Sequence, residues 1–142
     1  MEKNEIVEQI FEELKKNVTE SISEVLNNFT KGEIGILSYL SFDKDGVTAG
    51  ELSEHLNVST ARIASILNSL EHKGYISRNE DILDRRKIIV NITDMGKELA
   101  SKAKDDIFAK ITFIISELGE EDAKEYIRIL IKIKNILSNY RQ

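Results

Sequence analysis

Apolar positions recur at steps of three and four over long stretches of the chain, the period of an amphipathic helix. Ile6, Val7, Ile10, Phe11, Leu14, Val18, Ile22, Val25, Leu26 and Phe29 predict one long helix over residues 5–29. Thr30-Lys31-Gly32-Glu33 has the form of a capping box and opens a second helix carrying Ile34, Ile36, Leu37 and Leu40. Asp43-Lys44-Asp45-Gly46 predicts a turn; its spacing matches the start of a calcium loop, but the later acids and terminal Glu are missing. A second capping box, Thr48-Ala49-Gly50-Glu51, starts a short helix with Leu52 and Leu56 on one face. Asn57-Val58 bends the chain, and Ser59 caps the next helix, whose inner face is Ile63, Ile66, Leu67 and Leu70 and which Gly74 ends.

Then the period changes. Residues 75–78 and 88–92 are β-rich and flank a charged loop ending in Asp84-Arg85-Arg86-Lys87. Thr93-Asp94 starts a long helix to Leu118, about 39 Å at ~1.5 Å per residue, with a stripe of Leu99, Ala103, Ile107, Ile111, Ile114 and Leu118. Gly119 breaks it, and Glu120, Glu121 and Asp122 form the acidic first turn of a last helix. That helix carries Tyr126, Ile127, Ile129, Leu130, Ile131, Ile133, Ile136, Leu137 and Tyr140, an arc of roughly 220° where a surface helix needs about half as much. Such a face calls for a partner, most simply a second copy. The fold class expected is mainly α with a small β wing.

Composition narrows the chemistry. At 142 residues the chain is expected to form one domain. The lack of Cys excludes disulfides, thiolate metal sites and thiol redox sensing. The lack of Pro suits a helical chain. No apolar run approaches the ~20 residues of a membrane span, and the acidic start is unlike a signal peptide, so the expectation is cytoplasmic with no membrane partner. The net charge of −5 is uneven. Residues 1–47 hold the whole deficit, while Arg78, Arg85, Arg86 and Lys87 cluster around the ribbon loop. Contacts to phosphate are local, with screening over ~8–10 Å, so an acidic chain can still bind DNA through a basic edge.

Two short helices joined by a tight turn, followed by a basic ribbon, suit a major groove and the backbone beside it. Ser59 and Thr60 stand at the recognition-helix N-terminus, where N–H groups and hydroxyls bind phosphate. Ala61, Arg62 and Ser65 face away from the apolar stripe, Arg62 suits guanine, and Asn68 is either a contact or a solvated polar residue. A charged hairpin tip is also an ordinary solvated surface, and Ser59 also serves as a plain cap. His55 and His72 lie on different helices without ligand-spaced partners, which argues against a metal site. No nucleophile motif, phosphate loop or paired-acid arrangement suggests an enzyme, and no cofactor is expected. Phe11, Tyr39, Phe42 and Tyr75 are weak candidates for an effector pocket; aromatics at helical spacing are more often core.

Leu70-Glu71-x-x-Gly74-Tyr75-Ile76-x-Arg78, five residues, then Asp84-Arg85-Arg86-Lys87-x-x-Val90-x-Ile92-Thr93-x-x-Gly96 resembles the signature of the MarR family of winged helix-turn-helix regulators. The upstream VSTARIASILNSLE is similar to the recognition helix of many members. The resemblance implies a homodimeric, DNA-binding transcriptional regulator, here expected to be a repressor, that reads a pseudo-palindromic operator in double-stranded DNA. It implies one MarR-like domain over 1–142, with dimerisation helices at 1–29 and 94–142 and a winged helix-turn-helix lobe at 30–93. It also implies a small-molecule effector, often aromatic or phenolic, or an oxidant, that changes lobe spacing and releases the DNA. The wing's Asp-x-Arg falls on Asp84 and Arg86: the Arg enters the minor groove and the Asp helps hold the wing. Two departures stand out. Asp81-Ile82-Leu83 replaces the usual polar, Pro-containing tip, and Ser65 stands where many relatives carry an Arg, with Arg62 three residues earlier. The alternative function is a winged-helix protein-interaction module without DNA binding.

Overall fold

A computed structural model describes residues 2–16 and 22–141 and omits the Asn28 side chain. Helices α1 (Lys3–Lys16) and α2 (Ile22–Thr30) cover the two ends of the expected first helix; Val18 lies outside the described residues. They are followed by α3 (Gly32–Ser38), a π turn (Tyr39–Asp43), α4 (Ala49–Leu56) and α5 (Thr60–His72). Strands β1 (Ile76–Glu80) and β2 (Ile88–Ile92) precede α6 (Asp94–Leu118) and α7 (Glu120–Tyr140). By internal contacts the chain separates into Met1–Ile107 and Phe108–Gln142.

In the first unit the core is made by facing stripes. Ile36, Leu37 and Leu40 from α3 and its π turn, Leu52 from α4, and Ile63, Leu67 and Leu70 from α5 are buried together. Val47 beside the ribbon, Ile76, Val90 and Ile92 within it, and Ala100 from α6 complete it. Two glycines permit the closest approaches. A Cβ on Gly35 would lie 2.6 Å from the Thr30 carbonyl carbon, so α2 and α3 pack at backbone contact. A Cβ on Gly96 would lie 2.3 Å from the Tyr75 carbonyl oxygen and 2.7 Å from Ile92 Cγ1, so α6 starts directly against the root of the ribbon.

Thr48 and Glu51 form the expected box: Glu51 N–H donates to Thr48 Oγ1 at 3.2 Å, and Thr48 N–H donates to Glu51 Oε2 at 2.8 Å. The box expected at Thr30 does not form. Lys31 is the N-cap of α3 and gives no side-chain cap, while the Thr30 hydroxyl turns back to the Leu26 carbonyl at 3.1 Å. Glu33 faces α5 instead, because Ser69 and Lys73 offer it hydrogen bonds there.

The ribbon is antiparallel, with Ile76 opposite Ile92 and Glu80 opposite Ile88, and β1 starts one residue later and ends two residues later than the sequence pattern predicts. Val47 adds a bridge to Val90 through two backbone hydrogen bonds of 2.7 and 3.2 Å. At its root Thr93 ties three elements together: its N–H donates to the Tyr75 carbonyl, its hydroxyl donates to the Gly74 carbonyl at 2.7 Å and accepts from Gly96 N–H.

In the second unit, α7 starts after Gly119 (φ +91°) with an acidic first turn, and it holds no buried residue. Ile127, Ile131, Ile133, Ile136, Leu137 and Tyr140 are all exposed. The apolar stripe of α1 in the first unit, Ile6, Val7, Ile10, Phe11 and Leu14, is exposed as well.

Candidate nucleic-acid interface

The bend between α4 and α5 is fixed locally. Asn57 takes left-handed angles (φ 52°, ψ 48°), which Asn tolerates better than most residues, and Ser53 Oγ donates to the Val58 carbonyl at 2.5 Å. Ser59, extended, accepts from Arg62 N–H at 3.2 Å and caps α5. Gly74 (φ +83°) closes α5 with a Schellman pair: Tyr75 N–H donates to the Leu70 carbonyl and Gly74 N–H to the Glu71 carbonyl.

Between these caps, Ile63, Leu67 and Leu70 are buried while Thr60, Ala61, Arg62, Ser65 and Asn68 are exposed. The helical period places every base-reading candidate of α5 on its solvent face, as expected. Residues 57–70 contain no acid and one base, Arg62, so this stretch places no carboxylate of its own against a polyanion. Arg62 also lines an open groove of about 570 Å³ with Glu24, Asn27, Lys31, Gly32, Glu33 and Ile34.

The wing tip is a built turn. Lys87 N–H donates to the Asp84 carbonyl at 2.9 Å, and Arg86 N–H donates to the Asp84 carboxylate at 3.1 Å, a β-turn reinforced by its first side chain. Arg86 Nε reaches the same oxygen at 3.2 Å. These hydrogen bonds from Arg86 hold the Asp84 carboxyl below its ordinary range. Arg85 and Lys87 are exposed, and the Arg86 side chain keeps 91% of its surface in solvent. The tip thus presents three cations on a turn that one aspartate organises.

Arg78 is placed differently. Its Nη2 donates to Asn68 Oδ1 at 2.7 Å and Glu71 Oε1 at 3.1 Å, and its Nε donates to Glu71 Oε2 at 3.2 Å. This fork joins β1 to α5 and draws the Glu71 carboxyl below its usual range. A second tie, missed by sequence reasoning, holds α5 to α3. Glu33 Oε1 accepts from Ser69 Oγ at 2.6 Å, and both Glu33 oxygens accept from Lys73 Nζ at 2.9 Å. The Ser69 hydrogen bond, followed by Lys73, lowers the Glu33 pKa. Nothing in the local pattern marks Glu33 for this, since its partners lie 36 and 40 residues away.

The four aromatic candidates for an effector pocket differ in their contacts. Phe11 is exposed on α1, Tyr39 lies against His55 at 5.2 Å between ring centroids, and Phe42 stacks on Phe29 at 6.1 Å under Lys104. Tyr75 lines an open groove of about 270 Å³ with Met95, Glu98, Leu99 and Lys102. Among the described residues no group of three or more His, Cys, Asp or Glu could hold a metal ion, and no helix is long and apolar enough to cross a membrane.

Comparison with known proteins bears on this arrangement. The winged helix DNA-binding domain profile matches residues 33–111. The chain is 27% identical over 113 residues to the HTH-type transcriptional repressor YetL of Bacillus subtilis, covering 79% of this chain and 68% of that protein. Its fold is similar to that of Streptococcus pneumoniae FabT, solved in complex with DNA (21% identity, TM-score 0.68, 96% and 99% of the two chains). It is similar also to a MarR family protein from Bacillus stearothermophilus (15% identity, TM-score 0.71, 97% and 99%).

Proposed function

The chain belongs to the winged helix DNA-binding domain family, and from that premise we propose that it acts as a MarR-type, homodimeric repressor of transcription in the cytoplasm, reading a pseudo-palindromic operator in double-stranded DNA. One observation carries the reading: a solvent-facing surface on α5 that holds no acid over residues 60–70, tied by Arg78 to a ribbon whose tip offers three exposed cations. Thr60, Ala61, Arg62, Ser65 and Asn68 face the bases or flanking phosphates, with Ser59 at the helix entry. Arg86 enters the minor groove, Arg85 and Lys87 meet phosphates, and Asp84 holds the turn.

Dimerisation is supported by the apolar faces of α1 and α7, which the single chain leaves uncovered. Two copies would present two α5 helices to successive half-sites on one DNA face. A small aromatic effector that alters this spacing would relieve repression. The test is binding to duplex DNA drawn from the region upstream of the gene, at rising salt. Salt-sensitive binding to a palindromic site is expected, and none at any such site would overturn the reading.

The alternative, a protein-interaction module without DNA binding, is favoured by one feature, the exposed Ile82-Leu83 pair. It requires that the same titration give no DNA complex.

A further inference from the structure

We propose that the wing tip is a composite probe in which Ile82 and Leu83 make an apolar contact inside the DNA minor groove beside Arg86, flanked by Arg85 and Lys87 on the phosphates. The proposal rests on the DNA-binding reading above and assigns to that site a contact that charge alone does not supply.

Ile82 and Leu83 are 96% and 94% exposed, the highest values among the exposed large hydrophobic residues. A mobile loop could turn such side chains inward, but this one is pinned. Asp81 N–H donates to the Lys87 carbonyl at 2.9 Å, which closes the ribbon just beyond the Glu80–Ile88 pair. Leu83 N–H donates to Asp81 Oδ1 at 3.2 Å, and Asp84 holds the far side through Arg86. Both acids of the tip are therefore engaged with the tip's own donors. What faces outward is two aliphatic side chains and three cations within six residues.

A partner for that surface must be anionic at its rim and apolar a few ångströms inside it. The minor groove has this construction: phosphate walls, then sugar C–H edges and base steps, against which aliphatic side chains pack in other minor-groove binders. Position selects DNA over other anionic partners. Through Arg78, Asn68 and Glu71 the ribbon is bonded to the recognition helix, so a duplex engaged by α5 has its backbone carried toward the tip. Apolar surface withdrawn from water there gains affinity without releasing counterions.

The test compares wild type with the double variant Ile82→Ser/Leu83→Ser on a duplex that wild type selects from a random-sequence pool, titrated at several salt concentrations. The double variant should bind roughly tenfold or more weakly, since two aliphatic contacts are lost, with an unchanged slope of log affinity against log salt. Ile82→Val/Leu83→Met should restore most of the affinity. Unchanged affinity in the serine variant, or a loss accompanied by a flatter slope, overturns the proposal. Weakened self-association of the serine variant in sedimentation also overturns it, by placing a second copy on the tip. If wild type selects no duplex, the DNA-binding reading itself fails and takes this proposal with it.

Discussion

Arg86 and Arg78 carry the same charge on the same ribbon, yet their surroundings give them different work. Arg86 shares one carboxylate oxygen and otherwise stands in solvent, free to move onto a phosphate or into a groove. Arg78 is committed to three acceptor atoms on α5. Arg86→Ala should therefore weaken DNA binding across sequences and flatten the salt slope by about one unit per site lost. Arg78→Ala should lower thermal stability and affinity while leaving the slope near that of wild type; both are read by anisotropy titrations at several salt concentrations. Glu33 allows a pH test. Its folded pKa is depressed below the ordinary 4.5, so its contribution to stability is present above that value and is lost as pH falls through the folded one. Glu33→Gln should lower the urea midpoint at neutral pH, and the gap to wild type should shrink on acidification below about pH 4. A gap that stays constant with pH would remove the ionised Glu33 from the account. At this scale the exposed face of α5 was legible, because a 3.6-residue period sorts Arg62 and Ser65 from Ile63 and Leu67. The partners of Arg78 and Glu33 were not, because each bond joins elements that only the fold brings together.

Elements were legible where a local rule closes on itself. Thr48 and Glu51 satisfy each other across one turn, Gly74 supplies the positive φ that ends α5, and β2 spans the β-rich run at 88–92. The Thr30 box shows where such rules yield: α3 approaches α2 at backbone contact through Gly35, and Glu33 has stronger partners on α5 than a backbone N–H. Two substitutions probe these joints. Thr48→Ala should cost ~1 kcal/mol by removing the cap of α4. Gly96→Ala should cost ~1–3 kcal/mol or more, because the added methyl meets the Tyr75 carbonyl and Ile92 at the ribbon root. Urea unfolding measures both; a Gly96→Ala protein as stable as wild type would mean that α6 does not sit as described.

For the whole molecule, the amount of apolar surface on α7 was readable from its sequence, since its wide arc exceeds what one small unit can cover. What faces it was not, because a helical period counts apolar positions without naming what packs on them. The first half of α6 shows a similar limit: its stripe reads as one helix, yet Gly96, Ala100 and Ile107 are buried in the unit that holds the wing and recognition helix. Sedimentation should give a dimer at micromolar concentration, and Ile127→Glu/Ile131→Glu should shift it toward monomer by placing charge on the apolar face. The most direct test of the central claim compares binding to a selected duplex with binding to the same duplex carrying one half-site scrambled, across a salt series. One dimer bound per intact duplex, a large loss of affinity on scrambling, and a steep decline with salt are predicted. Equal affinity for both duplexes, or binding indifferent to salt, would contradict a paired recognition-helix reader.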